Sequence, residues 1–493
     1  MFYKSTRGQE DLVTASEAII RGIAEDGGLF VPEFFPELDK SFDELKNLNY
    51  KELAFYVLSK YLDDFSAEEL KACIEGAYDE KFEVPSIAPL KYSAGAYFLE
   101  LFHGRTLAFK DMALSILPYL VKTAAKRLDI NKEIVILTAT SGDTGKAALE
   151  GFAKVEGTKI VVFYPKEGVS EIQKRQMVTQ EGDNTFVVGI EGNFDDAQNG
   201  VKTIFVDSDF NKLLDEKGYM LSSANSINIG RLIPQIVYYV YSYLTLLKDE
   251  KIKAGEKINV VVPTGNFGNI LAAFYAKNMG LPIDKLICAS NENKVLTDFI
   301  STGIYDRNRE FVITNSPSMD ILISSNLERF LYEISGKDSE IINKLMQQLK
   351  NEGRYEITSA MKERLNCMYG GFATEEETVE AIREVYDASE YVLDTHTAVA
   401  YNVFKKYINA TKDEAVTVIA STASPFKFPR SVNEALSFEN SSASDFDMVE
   451  KLSKKFNIRI PKGIDNLESR PIIHKATCYK ESMKNVIEEF LKL

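Results

Sequence analysis

The chain has 493 residues, which is too long for one hydrophobic core, so two or three domains are expected. Of these residues 45% are hydrophobic and 27% charged, a composition typical of globular proteins. Its formal net charge of −15 argues against a general nucleic-acid surface but leaves room for a local basic pocket. The four cysteines are far apart without CxxC spacing, the three histidines are too few for a histidine-rich metal centre, and no apolar run approaches the ~18 residues of a membrane span. With no apolar signal core at the N-terminus, we expect a cytoplasmic protein without a metal, a membrane partner or a nucleic-acid partner.

Residues 1–90 are predicted to form a small leading domain. Helical spacing of apolar residues occurs over 15–24, 42–62 and 66–78. The first of these helices should stop at Asp26-Gly27-Gly28, and Pro85 and Pro89 should mark the connection to the next domain.

Residues 91–430 alternate between short apolar runs and helical patterns, which indicates parallel sheets wrapped by helices in two subdomains. In such α/β folds, ligands bind at the carboxyl ends of the strands. Residues 310–390 are mainly helical and polar, as in an insertion or lid, and the charged tail 431–493 is expected to be peripheral. The predicted strands are 96–102, 134–138, 159–164, 185–190, 257–262, 286–290 and 415–420; the predicted helices are 111–128 with a kink at Pro118, 146–155, 170–181, 195–206, 229–247 and 270–279.

Lys110 follows an apolar and aromatic run and precedes a helical pattern. Loss of water around an ammonium lowers its pKa, and a partly neutral lysine can attack a carbonyl and form a Schiff base. A lone lysine at a helix start is more often an ordinary surface residue, so this interpretation depends on the two loops described next.

The first loop, Pro263-Thr264-Gly265-Asn266-Phe267-Gly268-Asn269, lies between a predicted strand and a predicted helix. Its glycines let the backbone approach a ligand, and the free amides of the helix start attract an anion such as phosphate. The alternative is a plain strand-to-helix turn. The spacing lacks the GxxxxGK[ST] pattern of a nucleotide-binding loop, which disfavours an NTPase.

The second loop, Thr140-Ser141-Gly142-Asp143-Thr144-Gly145, offers hydroxyls, a carboxylate and another helix start. Such a loop can hold a carboxylate through amides and hydroxyls, or it can simply be a capped helix with Ser141 or Asp143 as the cap. Together with Lys110 and the glycine loop, it suits pyridoxal 5'-phosphate, which needs a lysine for its aldehyde, donors for its phosphate and a partner for its ring nitrogen. The hydroxyls of Ser421-Thr422, at the end of the last predicted strand, could supply that partner.

These segments occur in the order found in threonine synthases, which the chain resembles from its first residues to about 432; the tail beyond is not diagnostic. The resemblance is to the longer form of that family, and it rests on the following segments: residues 5–7, residues 22–32, His103-Gly104-Arg105-Thr106-Leu107-Ala108-Phe109-Lys110-Asp111, residues 140–145, Asn225-Ser226-Ile227-Asn228, residues 265–269 and residues 421–428. Two positions depart from the family: Arg105 stands where it usually has proline, and Ser424 where it usually has histidine.

The resemblance implies a tryptophan-synthase-β-like (fold type II) enzyme that converts O-phospho-L-homoserine and water to L-threonine and phosphate, as a monomer or homodimer. It implies that the substrate amine displaces Lys110, which then removes the α-proton and a β-proton before phosphate leaves and water adds. The implied cofactor contacts are Asp143, Gly265, Asn266, Phe267, Gly268, Asn269 and Thr422; the implied substrate contacts are Ser141, Thr144, Asn228, Arg231, Lys427 and Arg105.

Several alternatives remain open. Arg231 could pair structurally with a nearby acid, and His396, which has a family counterpart, could be structural. Another enzyme on the same scaffold, such as a dehydratase or phospholyase, or a catalytically silent homologue that binds a phospho-metabolite, would share much of this pattern.

Overall fold

A computed structural model describes residues 1–9, 11–140, 142–167, 169–436 and 443–493. Its N-terminal region contains a two-stranded antiparallel sheet and four helices. All four helices begin with a capping box, in which a Ser, Thr or Asn accepts from the backbone of a Glu three residues later and the Glu side chain bonds back. The elements are β1 (Tyr3–Ser5), α1 (Ala15–Arg21), β2 (Phe30–Pro32), α2 (Phe42–Leu45), α3 (Tyr50–Leu58) and α4 (Ala67–Ala77).

The next part of the chain alternates between strands and helices, as predicted. Its elements are β3 (Leu90–Ser93), β4 (Ala96–Glu100), α5 (Asp111–Leu114), α6 (Leu117–Arg127), β5 (Glu133–Ala139), α7 (Asp143–Phe152), β6 (Thr158–Pro165), α8 (Glu171–Val178), β7 (Thr185–Ile190), α9 (Phe194–Val206), α10 (Ser208–Glu216) and β8 (Tyr219–Ser222).

The rest of the chain contributes further strands and most of the peripheral helices. Its elements are α11 (Ile229–Leu232), α12 (Pro234–Lys248), β9 (Ile258–Pro263), α13 (Gly268–Asn278), β10 (Ile283–Ser290), α14 (Val295–Thr302), β11 (Ile304–Asp306), α15 (Leu327–Ile334), α16 (Ser339–Glu352), β12 (Arg354–Glu356), α17 (Ser359–Arg364), β13 (Met368–Phe372), α18 (Glu375–Ser389), α19 (Thr395–Thr411), β14 (Thr417–Ser421), α20 (Pro429–Ala435), α21 (Asp445–Phe456), β15 (Ala476–Cys478) and α22 (Met483–Leu491).

Two sheets form the frame of the molecule. One has the strand order β13-β10-β9-β14-β4-β3 and is parallel except for the edge strand β3. The other has the order β15-β7-β6-β5-β8 and is parallel throughout. Within each sheet the parallel strands end at one edge, and an α/β fold binds its ligands in the loops at that edge.

Proline residues lie where two segments predicted as single long helices divide into two. The segment predicted as one kinked helix over 111–128 is two helices, and Pro118 lies in the first turn of the second. The segment 229–247 divides in the same way, with Pro234 at the start of α12. Proline lacks an amide proton and suits the first turn, so each proline begins a helix instead of interrupting one.

The prediction that the tail is peripheral is wrong. Strand β15 pairs with β7 as the edge strand of the five-stranded sheet, and Ile487 and Leu491 of α22 are buried against that sheet. The backbone at Gly463 approaches the loop before Lys110 so closely that a Cβ there would lie 2.1 Å from the carbonyl oxygen of Arg105. The tail therefore supports both a sheet and the lysine loop.

The stretch 310–390 is largely helical, as expected, but it is not only an insertion. Strand β13 pairs with β10 at the edge of the six-stranded sheet. The 3-10 turn Pro317–Met319, which precedes α15, lies at the loop edge where the candidate site is found.

Candidate active site

The loop that carries Lys110 is held against the strand end of β14. The amide of Leu101 donates to the carbonyl of Ser421, and that of Phe109 donates to Thr422. The amide of Ser424 donates to the carbonyl of Leu107, a residue with a φ of 61°. Two chain segments far apart in sequence are thus joined by backbone bonds, which fixes the position of Lys110 at the start of α5.

Asp143 lies at the centre of the site, and its side chain is 7% exposed. The Lys110 ammonium is 3.1 Å from Asp143 Oδ2, and the Lys427 ammonium is 2.9 Å from Oδ1. The Gln173 amide donates to Oδ1 at 2.7 Å, and the Ser318 hydroxyl donates to Oδ2 at 3.1 Å. One carboxylate therefore receives two cations and two neutral donors.

The electrostatics around Lys110 suit an amine that must lose its proton. Desolvation is the main cause of its lowered pKa, and the positive charges of Lys427 and Arg231 lower it further, while Asp143 acts in the opposite direction. Lys110 and Lys427 in turn hold the pKa of Asp143 well below its usual range despite its burial. Two lysines thus share the Asp143 carboxylate, and Arg231 lies close enough to act on Lys110, so the site holds a local group of cations in an otherwise acidic protein, which favours anionic ligands.

The glycine loop has the features expected of a phosphate cradle. Among the described residues, no group accepts the amide protons of Gly265, Asn266 or Phe267. A Cβ at Gly265 would lie 2.7 Å from the carbonyl oxygen of Ser318, so only glycine fits there. Phe267 is buried with a φ of 63° and precedes α13, which begins at Gly268.

Asn269, in the first turn of α13, has a buried amide nitrogen without a partner among the described residues. Its carbonyl oxygen accepts from the hydroxyls of Tyr238, at 2.8 Å, and Tyr239. The two tyrosines thus orient the side chain, and the unsatisfied nitrogen is available to a ligand. Both tyrosines belong to α12 and are buried.

The loop after β5 is folded around Thr140, whose hydroxyl oxygen accepts from the amides of Gly142 and Gly145. Gly142, with a φ of 143°, precedes α7, and the Asp143 side chain makes no capping bond. The alternative of Asp143 as a helix cap is therefore wrong. Thr144 is half-buried on the first turn of α7. Ser141 lies outside the described residues.

The predicted substrate contacts differ in their surroundings. Arg231 is buried, which lowers its pKa to about 10, and one of its terminal nitrogens donates to the carbonyl of Ala224 at 2.8 Å. Its Nε is buried without a partner among the described residues, so the alternative of a pairing with a nearby acid is not observed there. Arg231 therefore keeps one buried N–H donor without a partner among the described residues.

Lys427, Asn228 and Arg105 are less available. The Lys427 ammonium is already bonded to Asp143 and donates to the carbonyl of Thr106 at 2.6 Å. The Asn228 side chain caps α11 and donates to the carbonyl of Ile19 at 2.9 Å. Half of the Arg105 side chain is exposed, and its Nε lies 3.6 Å from Glu150. Lys427 and Arg231 nevertheless lie at the same site, because the charges of both lower the pKa of Lys110.

Thr422 is buried beyond the end of β14, and its carbonyl accepts from the Lys110 loop. Its hydroxyl forms no hydrogen bond with the described residues, which leaves it free for a ring nitrogen. Ser424, at the position where the resembled family has histidine, uses its hydroxyl to cap the turn Pro425–Lys427.

Sequence reasoning missed Gln173, Ser318 and Asp394 as contributors to the site, and it left open whether His396 is structural. His396 Nδ1 lies 3.0 Å from Asp394 Oδ1, and its Nε2 accepts from the Ser318 amide at 3.2 Å. None of these residues belongs to a motif that signals chemistry. The only local signal is Asp394, a helix-capping residue next to a histidine.

Within the described ranges, no cluster of three or more His, Cys, Asp or Glu side chains is arranged to hold a metal ion. In the same ranges, no helix is both long and apolar enough to cross a membrane.

The comparisons with known proteins identify first the class and then the family. A family model described as pyridoxal-phosphate-dependent enzyme matches residues 90–422. The reactive lysine, the open amides of the glycine loop and the unpartnered Asn269 nitrogen fit that cofactor. The fold and the site are those of a fold type II enzyme that uses pyridoxal phosphate.

Two further models, described as threonine synthase N terminus and threonine synthase C-terminal, match residues 2–78 and 397–471. The chain belongs to the threonine synthase family. The second match extends beyond residue 432, so the expectation that the tail is not diagnostic is wrong.

Individual relatives agree with this assignment. The threonine synthase of Schizosaccharomyces pombe is 37% identical, with 99% of this chain and 97% of that protein covered. The crystal structure of a threonine synthase from Brucella melitensis with bound pyridoxal phosphate is 34% identical, covers 100% of this chain and 99% of its own, and has a TM-score of 0.88. The threonine synthase-like 1 protein of Pongo abelii is 45% identical over 85% of this chain, which spans 58% of that relative's length.

Proposed function

We propose that this protein is a threonine synthase that converts O-phospho-L-homoserine and water to L-threonine and phosphate, the last step of threonine biosynthesis. The observation that carries the proposal is the desolvated Lys110, set against Asp143 and near the buried, incompletely bonded Arg231. An enzyme of this family needs a lysine amine for its cofactor and a separate cation for the phosphate of its substrate.

Pyridoxal phosphate, when bound, supplies an electron sink for the carbon that bears the substrate amine. We assign its covalent attachment to Lys110 and its phosphate to the amides of residues 265–268 and the side chain of Asn269. We assign its ring nitrogen to the Thr422 hydroxyl. A hydroxyl is a neutral partner, so it favours a less fully protonated ring than a carboxylate would.

Lys110 also serves as the mobile base of the reaction. Its lowered pKa makes the amine release a proton more readily, and successive proton transfers at the α- and β-carbons require a group that both accepts and releases protons. Asp143 provides the opposing charge whenever Lys110 carries a proton. The Ser424 hydroxyl, already engaged in its turn, is not assigned a proton-transfer role.

The substrate itself brings two anionic groups. Arg231 is the leading candidate for its phosphate, because a buried guanidinium with an unused N–H can bind a phosphate oxygen without first breaking a salt bridge. Lys427 would have to exchange Asp143 or Thr106 for the phosphate, and Arg105 is assigned only a peripheral part. We assign the substrate carboxylate to Ser141, Thr144 and the loop amides around them.

We further propose that the protein acts in the cytoplasm as a monomer or homodimer, without a nucleic-acid or membrane partner. The four unpaired cysteines, of which Cys73, Cys288 and Cys478 are buried, support a reducing compartment. We also propose that the chain divides into an N-terminal domain (1–90), a catalytic region (91–430) and a C-terminal extension (431–493). Buried residues of the first two regions belong to the same hydrophobic cluster.

The decisive experiment incubates the purified holoenzyme with O-phospho-L-homoserine and measures both phosphate and threonine. Equal amounts of the two products are expected from the wild-type protein. The Lys110→Ala variant should form neither while it stays folded, because it lacks the amine that attaches the cofactor and transfers protons.

Phosphate without threonine would indicate a phospholyase, in which elimination is not followed by addition of water. Release of neither product would support the silent homologue. Near-normal threonine formation by Lys110→Ala would refute the assignment of that lysine.

A further inference from the structure

The 3-10 turn Pro317–Met319 joins the two halves of the site. Its central residue, Ser318, is exposed, yet its hydroxyl donates to Asp143 Oδ2 at 3.1 Å and lies 3.5 Å from the Lys110 ammonium. Its carbonyl oxygen packs against Gly265 of the glycine loop. A single serine thus contacts the lysine, its carboxylate partner and the phosphate cradle.

This turn is held from outside the site. The carboxylate of Asp320, just beyond the turn, accepts from the side-chain amides of Asn291 and Asn293 at 2.7 and 3.0 Å. It also accepts from the amide and the hydroxyl of Thr314 at 3.0 and 2.7 Å. These bonds tie the turn to the loop after β10, so the backbone of Ser318 has little freedom.

His396 holds the backbone of Ser318 through a further hydrogen bond. Asp394 accepts a hydrogen bond from the buried ring at Nδ1, which leaves Nε2 as an acceptor, and the Ser318 amide donates to it at 3.2 Å. Because Asp394 is held at the start of α19 by the amides of His396 and Thr397, the pair is rigid.

We propose that Ser318 is a further active-site residue whose hydroxyl orients the Lys110 amine, and that His396, held by Asp394, is the positioning residue for Ser318. This inference deepens the proposed function and rests on it. A base that serves several proton transfers must return to one position between them, and the Ser318 oxygen gives the ammonium a second acceptor beside Asp143.

The test compares variants that keep or remove the two groups in question. Ser318→Ala removes the hydroxyl and Ser318→Thr keeps it. Similarly, His396→Asn removes the acceptor near Nε2, while His396→Gln places an amide oxygen close to it. Each full-length variant is assayed for kcat, KM and thermal stability. The rate at which the cofactor-free chain captures pyridoxal phosphate, followed by absorbance, gives a readout independent of turnover.

Ser318→Ala should lower kcat and the capture rate by roughly three- to tenfold, the loss of one hydrogen bond to a charged group at the long end of its range. KM and the melting temperature should hardly change, and Ser318→Thr should restore both rates to within about twofold. His396→Asn should act in the same direction and His396→Gln less. The double variant Ser318→Ala/His396→Asn should be no slower than Ser318→Ala alone, since His396 acts through Ser318.

Wild-type kcat and capture rate in Ser318→Ala would overturn the proposal. Impairment of Ser318→Thr as severe as that of Ser318→Ala would show that the hydroxyl is not the relevant group. Additive losses in the double variant would refute the link through His396. If the wild-type chain forms no threonine, the proposed function fails, whereas the capture rates still decide whether Ser318 orients Lys110.

Discussion

Replacement of Lys427 by methionine tests whether two lysines share one carboxylate. The Lys427 side chain is 1% exposed, and its ammonium contacts Asp143 Oδ1 at 2.9 Å and the Thr106 carbonyl at 2.6 Å. Methionine has a similar volume but no charge, so both contacts disappear. Breaking a buried ion pair costs about 3–5 kcal/mol when the remaining charge is left unpaired. Because Asp143 keeps Lys110, we expect a loss of about 2–3 kcal/mol in unfolding free energy.

The same variant should change the titration of Lys110. Lys427 is one of the positive charges that lower the pKa of Lys110, so its removal should raise that pKa. Capture of pyridoxal phosphate requires the neutral amine. The pH midpoint of cofactor capture should therefore move upward in Lys427→Met, and capture at neutral pH should slow.

Two measurements check this prediction: chemical denaturation of the cofactor-free chain, and the rate of cofactor capture as a function of pH. Lys166→Met is the matched control, because Lys166 forms a half-exposed pair with Glu191, and its loss should leave the stability nearly unchanged. Wild-type stability together with an unchanged midpoint in Lys427→Met would refute the shared carboxylate. A raised KM for phosphohomoserine with an unchanged midpoint would instead support Lys427 as a phosphate ligand.

Three further perturbations follow from the site. Arg231→Ala should raise the phosphohomoserine concentration needed for turnover roughly ten- to a hundredfold, as measured by initial rates. Inhibition by unphosphorylated homoserine should change little. Equal weakening of both ligands would show that Arg231 does not bind the substrate phosphate. Gly265→Ala should lower the cofactor content that survives dialysis, because its Cβ would lie 2.7 Å from the Ser318 carbonyl oxygen; full retention would refute the close approach. Burial raises the pKa of the Asp111 carboxyl to about 6, so the folded state binds a proton at this group more tightly than the unfolded state does. The stability that protonated Asp111 contributes is therefore lost as the pH rises through 6. Between pH 5 and 7.5 the wild type should lose about 1.4 kcal/mol that Asp111→Asn does not lose, as measured by denaturation at both pH values; parallel losses would contradict the raised pKa.

The sequence by itself was sufficient for the class of fold and for the chemistry-bearing loops. Alternating apolar runs and helical patterns predicted parallel sheets, and those runs became β4, β5, β6, β7, β9, β10 and β14. Lys110, the loop of residues 140–145 and the loop of residues 263–269 were each recognisable as short segments between a strand and a helix. Such features are local, because a strand period, a glycine and a helix start are all properties of neighbouring residues.

Local patterns also misled at identifiable places. Pro118 and Pro234 were treated as lying within longer helices, although proline suits the first turn of a new one. The tail looked peripheral because its charged residues dominate its composition, while the few apolar side chains of α22 that enter the sheet carry little weight in such a pattern.

Only the tertiary structure decided how the site is completed. Ser318 and Asp143 are 175 residues apart, and Ser318 and His396 are 78 residues apart, so neither contact leaves a trace in the spacing of a motif. The same holds for Lys427, which sequence reasoning assigned to a substrate phosphate and the fold places against Asp143. A side chain's identity states which bonds it can make, but which of them it makes depends on the groups that folding brings within about 3 Å of it, and in this protein those groups come from loops of separate strands.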